Sequence, residues 1–230
     1  LILTSCVLDV AHWDADDHHD LGADLAKAMA DPVAPAAAVI AKATQGKDAI
    51  DHSWLRWVET CKRASVEFGS YHFASNTEPG DQQADWYLTR LAAAGLDMAK
   101  TARALDFERN PNPLRTMSLQ QAEAFVQHVF DKTGVWPLLY GDVSFHHQIT
   151  DPRSPLVKCP LWVAMYGGSG PPVPPAFKAA GKSWKLWQHT DGKYGANGLP
   201  KSTPCFPRMD RSAYKGTVDE LKAEWPRLGG

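Results

Sequence analysis

Two carboxylates stand two residues apart in Leu105-Asp106-Phe107-Glu108, at the end of a short apolar run. On a strand, residues i and i+2 share a face, and two residues of rise place their Cα atoms ~6.6 Å apart. Acids crowded in that way, and partly withdrawn from water, do not both ionise at their ordinary values; one stays protonated beside an anion. Cleavage of a glycosidic bond needs that pairing, one group protonating the leaving oxygen and another stabilising positive charge at the anomeric carbon. Asp9, in Leu8-Asp9-Val10, and Asp210, in Met209-Asp210-Arg211, put further acids into two other apolar runs. A solvated strand end or a helix cap also produces Asp-x-Glu, so the pair needs a context.

Aromatic residues supply part of it. Trp13, Tyr71, Tyr140, Trp162, Tyr166 and Trp187 fall in or beside apolar runs, where flat faces next to carboxylates would suit sugar rings or simply fill a core. The histidines give less. His18-His19-Asp20 lies in a polar stretch without a third ligand at a telling spacing, so no metal is expected. His12 and His72, at strand ends, are expected to orient carboxylates. No Ser-His-Asp elbow, phosphate loop or dinucleotide motif is present, and Gly167-Gly168-Ser169-Gly170 runs into prolines rather than a helix.

The chain that must hold these groups has 230 residues, 44% of them hydrophobic and 22% charged, enough to build a core and too apolar for a disordered chain. Its 24 basic and 26 acidic side chains leave a net charge of −2, which excludes a general nucleic-acid binder. No apolar run approaches the ~18 residues of a membrane span. Short apolar runs recur at Val7 to Val10, Ala37 to Ala41, Phe68 to Phe73, Ala104 to Phe107, Trp136 to Tyr140, Leu161 to Met165, Trp184 to Gln188 and Met209 to Tyr214. Helical patterns lie between several of them. Ser53 to Glu67 has Ser53 as candidate N-cap, Gly80 to Ala94 follows, and Ser118 to Thr133 opens with capping-box spacing and stops at Gly134.

This alternation predicts an α/β fold of eight mostly parallel strands closed into a barrel, with active-site groups at the strands' C-terminal ends. Beyond Leu161 the helices weaken, and the loops Gly167 to Pro175 and Lys193 to Pro207 make the second half irregular. No linker interrupts residues 1–230, so one domain is expected. Cys6, Cys61, Cys159 and Cys205 have no zinc spacing. Cys6 and Cys205 precede the first and last strands, which a closed barrel makes neighbours; a Cys6–Cys205 disulfide and four buried thiols both fit. Leu3-Thr4-Ser5-Cys6 looks like a lipoprotein processing box without its upstream region, or like the start of a core strand.

In order along the chain, these segments resemble glycoside hydrolase family 25, the Chalaropsis-type lysozymes (N-acetylmuramidases). Asp9-Val10-Ala11-His12-Trp13 is similar to the family's opening Asp-Val-Ser-His-Trp/Tyr, Lys42-Ala43-Thr44-Gln45-Gly46 to Lys-Ala-Thr-Glu-Gly, and Gly69-Ser70-Tyr71-His72-Phe73 to Gly-x-Tyr-His-Phe. Asp106-Phe107-Glu108 matches its Asp-x-Glu, and Pro137-Leu138-Leu139-Tyr140 its Pro-x-x-Tyr. Leu161-Trp162-Val163-Ala164-Met165-Tyr166, Trp187-Gln188-His189-Thr190 and Met209 to Tyr214 resemble the remaining strands.

The resemblance implies a flattened, irregular single-domain barrel that hydrolyses the β-1,4 bond from N-acetylmuramic acid to N-acetylglucosamine, without metal or organic cofactor. Glu108 would be the general acid and Asp106 its partner, stabilising the oxocarbenium or oxazolinium centre. Asp9 and Asp210 would complete an acidic ring, and Trp13, Lys42, Tyr71, Tyr140, Trp162, Tyr166, Trp187 and Gln188 would contact the glycan. It further implies wall-directed extracellular or periplasmic action with the peptidoglycan strand as partner; a monomer is the default expectation.

Three departures stand out: Gln45 in place of Glu, Ser212 in place of Asn, and a long acidic insert over Asp14 to Pro35. Two other readings are a chitinase-like endo-N-acetylhexosaminidase, whose signature needs an acid where this chain has Ala104, and a glycan-binding pseudo-enzyme.

Overall fold

The computed structural model describes residues 2–16, 18 and 20–228. Its elements follow in chain order as β1 (Thr4–Val10), α1 (His12–Asp16), α2 (Leu21–Met29), β2 (Ala38–Gln45), β3 (Ala49–Ile50), α3 (Trp54–Ala64), β4 (Glu67–Phe73), α4 (Gly80–Ala93) and β5 (Ala102–Asp106). Then come α5 (Leu119–Thr133), β6 (Leu138–Asp142), α6 (Val143–His147), α7 (Pro155–Lys158), β7 (Leu161–Ala164), α8 (Pro175–Ala179), β8 (Trp184–Thr190), β9 (Asp210–Tyr214) and α9 (Val218–Glu224). After α5 no described helix exceeds seven residues, the weakening anticipated for the second half.

Eight strands close a barrel in the order β1-β9-β8-β7-β6-β5-β4-β2, with β2 returning to β1 and β3 folding back on the end of β2. The strands are mixed rather than wholly parallel, because β9 runs antiparallel to both β8 and β1. Val7, Ile40, Ala104, Leu138, Trp162 and Leu186 fill the barrel, while Leu8, Val39, Leu105, Leu139 and Val163 face the helices. Burial on both faces explains why the strands read as continuous apolar runs. Leu221 of α9, with Trp225 and Leu228 beyond it, joins the inner cluster at the floor, and the Trp225 indole N–H donates to the Phe68 carbonyl at 3.1 Å.

Local signals explain most element boundaries. The Ser118 hydroxyl accepts from the Gln121 N–H at 3.2 Å, the Gln121 side chain accepts from the Ser118 N–H at 3.1 Å, and Gly134 ends α5 at φ 70°. The anticipated Ser53 cap is different. Its hydroxyl donates to Asp51 at 2.7 Å and caps nothing, and α3 ends at Ala64 because Ser65 turns left-handed, freeing Glu67 to start β4. The insert after Trp13 folds into α1 and α2, and Arg56 of α3 anchors it by donating to the carbonyls of Ala15, at 2.7 Å, and His18.

All four cysteines are free, so of the two cysteine readings the disulfide is not formed. Thr203 comes near the start of β1 through Arg211, yet the two thiols face different surroundings. Cys6 is buried in the inner cluster, whereas the Cys205 thiol lies against Asp24 and Lys27 of α2. Thr4 to Cys6 form the first part of β1.

A buried arginine fastens β9 to its surroundings instead. Arg211 donates to the Ser5 hydroxyl at 3.2 Å, the Ser5 carbonyl at 2.9 Å, the Ala34 carbonyl at 2.6 Å and the Thr203 hydroxyl at 2.6 Å. Arg211→Met leaves those buried acceptors without their donor, and a loss of about 3 kcal/mol is expected in urea unfolding. A loss within experimental error would show that the network contributes nothing to stability.

Candidate active site

The C-terminal ends of the strands gather the acids. Asp9 of β1 lies directly across from Asp210, the first residue of β9. Asp106 closes β5, and the ladder continues one residue further as the Phe107 N–H donates to the Tyr140 carbonyl at 2.9 Å. Phe107 then packs edge-on against Phe145, while Glu108 joins the mouth. The strands approach this closely because residue 141 is glycine: a Cβ there would stand 2.5 Å from the Phe107 carbonyl oxygen. Asp9, Tyr71, Asp106, Glu108, Tyr140 and Trp162 line the resulting crevice, which widens past Trp13, Lys42 and Asp210.

Gln188 organises the acids. The hydroxyls of Tyr140 and Tyr166 donate to its carbonyl oxygen at 2.8 and 2.9 Å. Its amide nitrogen donates to Asp9 at 2.8 Å and to Asp210 at 3.2 Å. Below them, the Trp162 indole N–H donates to Ser212 at 2.8 Å. On the β2 side, the Lys42 ammonium donates to Gln45 at 2.8 Å and lies 4.7 Å from the centre of the Phe73 ring. One oxygen each of Asp9 and Asp106 is buried with no hydrogen-bond partner among the described residues.

Burial dominates the ionisation of this cluster. It pushes Asp9 well above the ordinary carboxylate range, with the charge of Asp210 adding to it and the Gln188 amide opposing. Asp106 is raised by burial and then by Glu108, against Lys42. Glu108 is raised by burial and then by Asp142, again against Lys42. Asp210 is pushed up to about 7 by burial and by the charge of Asp14. Burial also lowers the Lys42 ammonium, while Asp106, Asp51 and Glu108 act the other way. At neutral pH the mouth therefore retains protons that free carboxylic acids would have lost.

Most of the residues singled out in the sequence meet here. Trp13 stands at the lip, 75% exposed, and Tyr166 is partly exposed above Gln188. Trp187 does not join them. It belongs to the outer layer with Trp184, and its indole N–H donates to the Met165 carbonyl at 2.7 Å, because Leu186 and Gln188 take the inward places on β8.

His72 likewise points outward. One ring nitrogen bonds to the Thr44 hydroxyl at 2.8 Å and the other to Gln83 at 3.1 Å, so it orients no carboxylate. His12 does orient one, Asp51, at 2.9 Å, but not one of the four mouth acids. In the His18-His19-Asp20 run, His18 pairs with Asp24 at 2.6 Å and His19 lies outside the described residues.

Three residues at the mouth escaped the sequence reading. Asp14 is raised to about 6 by burial, against a hydrogen bond from the Ala11 N–H, and acts on both Asp9 and Asp210. Arg208 lines the widened crevice. Asp142 is the last residue of β6, beside Glu108; burial raises its carboxyl, but hydrogen bonds from Ser144 and Phe145 hold it below the ordinary range. Extending the β6 run beyond Tyr140 would have found it by the strand-end rule.

Comparison with known proteins places this arrangement. The chain is 26% identical over 191 residues to lysozyme M1 of Streptomyces globisporus, a match covering 79% of this chain and 61% of that relative. The bacterial lysozyme of Streptomyces coelicolor superposes with a TM-score of 0.72 at 24% identity, covering 96% of this chain and 95% of the other. A muramidase from Acremonium alcalophilum superposes at 0.71 with 24% identity, covering 97% and 98%. Their likeness to this chain is one of fold. The sequence model of glycosyl hydrolases family 25 matches residues 8–197, a span that includes Asp9, Asp106 and Gln188, and the chain belongs to that family.

Proposed function

We propose that the protein is a peptidoglycan hydrolase acting as an endo-N-acetylmuramidase, which cuts the β-1,4 bond between N-acetylmuramic acid and N-acetylglucosamine in bacterial wall. The observation that carries this reading is the juxtaposition of Asp106 and Glu108 in one crevice with Asp9, over a floor of Tyr71, Tyr140 and Trp162. The lysozymes and muramidase that share the fold support the substrate class.

Glu108, kept protonated by burial and the nearby Asp142 charge, gives its proton to the glycosidic oxygen as that bond breaks. Asp106 faces the positive charge that develops at the anomeric carbon; Lys42 favours its anion there, against burial and the charge of Glu108, which raise its carboxyl well above the ordinary range. Both acids come from the end of one strand, which suits Asp106 to orienting the substrate's own acetamido group as the internal nucleophile. The resulting oxazolinium is then opened by water, whose proton returns to Glu108. Asp9 and Asp210, held by Gln188, complete the acidic ring. The protein is accordingly assigned to the cell wall as its place of action.

The test is digestion of purified peptidoglycan followed by mass spectrometry of borohydride-reduced products. Fragments ending in reduced muramic acid are expected, and Glu108→Gln should slow their release about 10³-fold. Ends in reduced glucosamine would overturn the bond specificity, and undiminished release by Glu108→Gln would overturn its role.

The raised acids also set a pH signature. Folded Asp210 holds its proton up to about 7, against an ordinary 3.8, so the folded state binds more protons than the unfolded chain through that window. Stability from this group is full below the lower value and is lost as pH rises through the upper one. Asp210→Asn should therefore raise the melting temperature over wild type much more at pH 8 than at pH 4. An equal increment at both would show that Asp210 titrates normally.

A further inference from the structure

Beside the acid crevice lies a second cavity of about 640 Å³ that the mechanism does not use. One wall is Trp13, Asp14 and Asp16 of α1 with His18 beyond it; the other is the stretch from Phe206 to Arg208 that leads into β9. Trp13, Asp14 and Arg208 also line the crevice containing Asp106 and Glu108, so the two hollows are continuous.

The walls are held from several directions. Arg56 fixes the backbone at Ala15 and His18, and His18 pairs with Asp24 while its ring lies 4.6 Å from that of Phe206. Phe206 in turn packs near Trp57, and Asp16 bonds to His52 at 3.1 Å. A hollow with walls fixed in this way loses little freedom when it is filled.

Its lining has charge of both signs. Arg208 is exposed, and its guanidinium has the fork geometry that takes a carboxylate at two points. Asp14 and Asp16 offer carboxylates to an ammonium group, and the exposed Trp13 offers a flat apolar face. A neutral sugar ring would give no ionic partner to the guanidinium or to Asp14, whereas Asp16 already pairs with His52. A short peptide with free carboxylates and an amino group would satisfy both, and the volume lies in the range that holds a small ligand.

We propose that this cavity is a subsite for the peptide carried by the glycan, so that the enzyme selects peptide-bearing strands over bare ones. The inference rests on the muramidase reading for its substrate. The insert Asp14 to Pro35, which lengthens the connection after β1, supplies one wall and thereby gains a purpose.

The experiment compares soluble glycan strands carrying their stem peptides with the same strands stripped of them by an amidase. For the wild type, KM should be about tenfold lower on the peptide-bearing strands, roughly the worth of one charge-assisted hydrogen bond. In the Asp16→Asn/Arg208→Ala double variant that gap should close, with thermal melting checking that the variant is folded. Equal KM values in the wild type, or a variant that keeps the gap, would overturn the proposal.

A second measurement reads the cavity without turnover: calorimetry with a muramyl tripeptide ending in a diamino acid, against the methyl ester of N-acetylmuramic acid. Tighter binding of the tripeptide that the double variant loses supports the subsite even if neither strand is cut, in which case the muramidase reading alone has failed. Equal binding of the two compounds counts against the subsite.

Discussion

Like charges gathered out of water repel, and the mouth of this barrel is arranged around that repulsion. Asp9, Asp106, Glu108 and Asp210 converge where the strands end, and burial holds protons on them against the donors placed among them. Gln188 is the donor that two of them share, and the hydroxyls of Tyr140 and Tyr166 hold it to that task. Lys42 opposes the other two from β2. At residue 45, where the family resemblance places a glutamate, this chain has a neutral glutamine that accepts from Lys42. The ammonium's charge is therefore not cancelled by its nearest partner and remains to act on Asp106 and Glu108.

The scaffold around this titrating centre is fastened differently. Arg211 and Arg56 bind carbonyls and hydroxyls rather than carboxylates. Acceptors of that kind do not change charge between acid and neutral conditions. The anchors of the loop before β9 and of the start of β1 thus stay constant while protonation at the mouth changes, whereas α1 rests also on the His12–Asp51 and His52–Asp16 pairs. Around β9, chemistry and support are separated by the kind of group each employs.

How far the sequence could foretell this differs from residue to residue. Asp9, Asp106 and Asp210 were visible because polar groups interrupting apolar runs are rare, and strand ends are where a barrel exposes them. Trp187 and His72 were misjudged for the converse reason. Runs buried on both faces carry no alternation, so nothing in Trp184 to Thr190 says whether Trp187 or Gln188 faces inward. The direction of β9 was equally hidden, since an antiparallel strand has the same composition as a parallel one. Asp14 acts through a fold of the insert that no periodicity announces.

The closing strand has a further meaning for how the chain reaches its shape. Tyr214 pairs with Thr4, so the first strand stays without one neighbour until nearly the whole polypeptide is available. Until then β1 and β8 present bare edges, the condition in which strands recruit foreign partners. Long sequence separation between pairing strands slows folding, because the loop must close before the contact repays it. The antiparallel joint that brings Asp210 opposite Asp9 therefore makes the acid ring one of the last features to be assembled, and a chain interrupted before Asp210 would have open edges in place of a mouth.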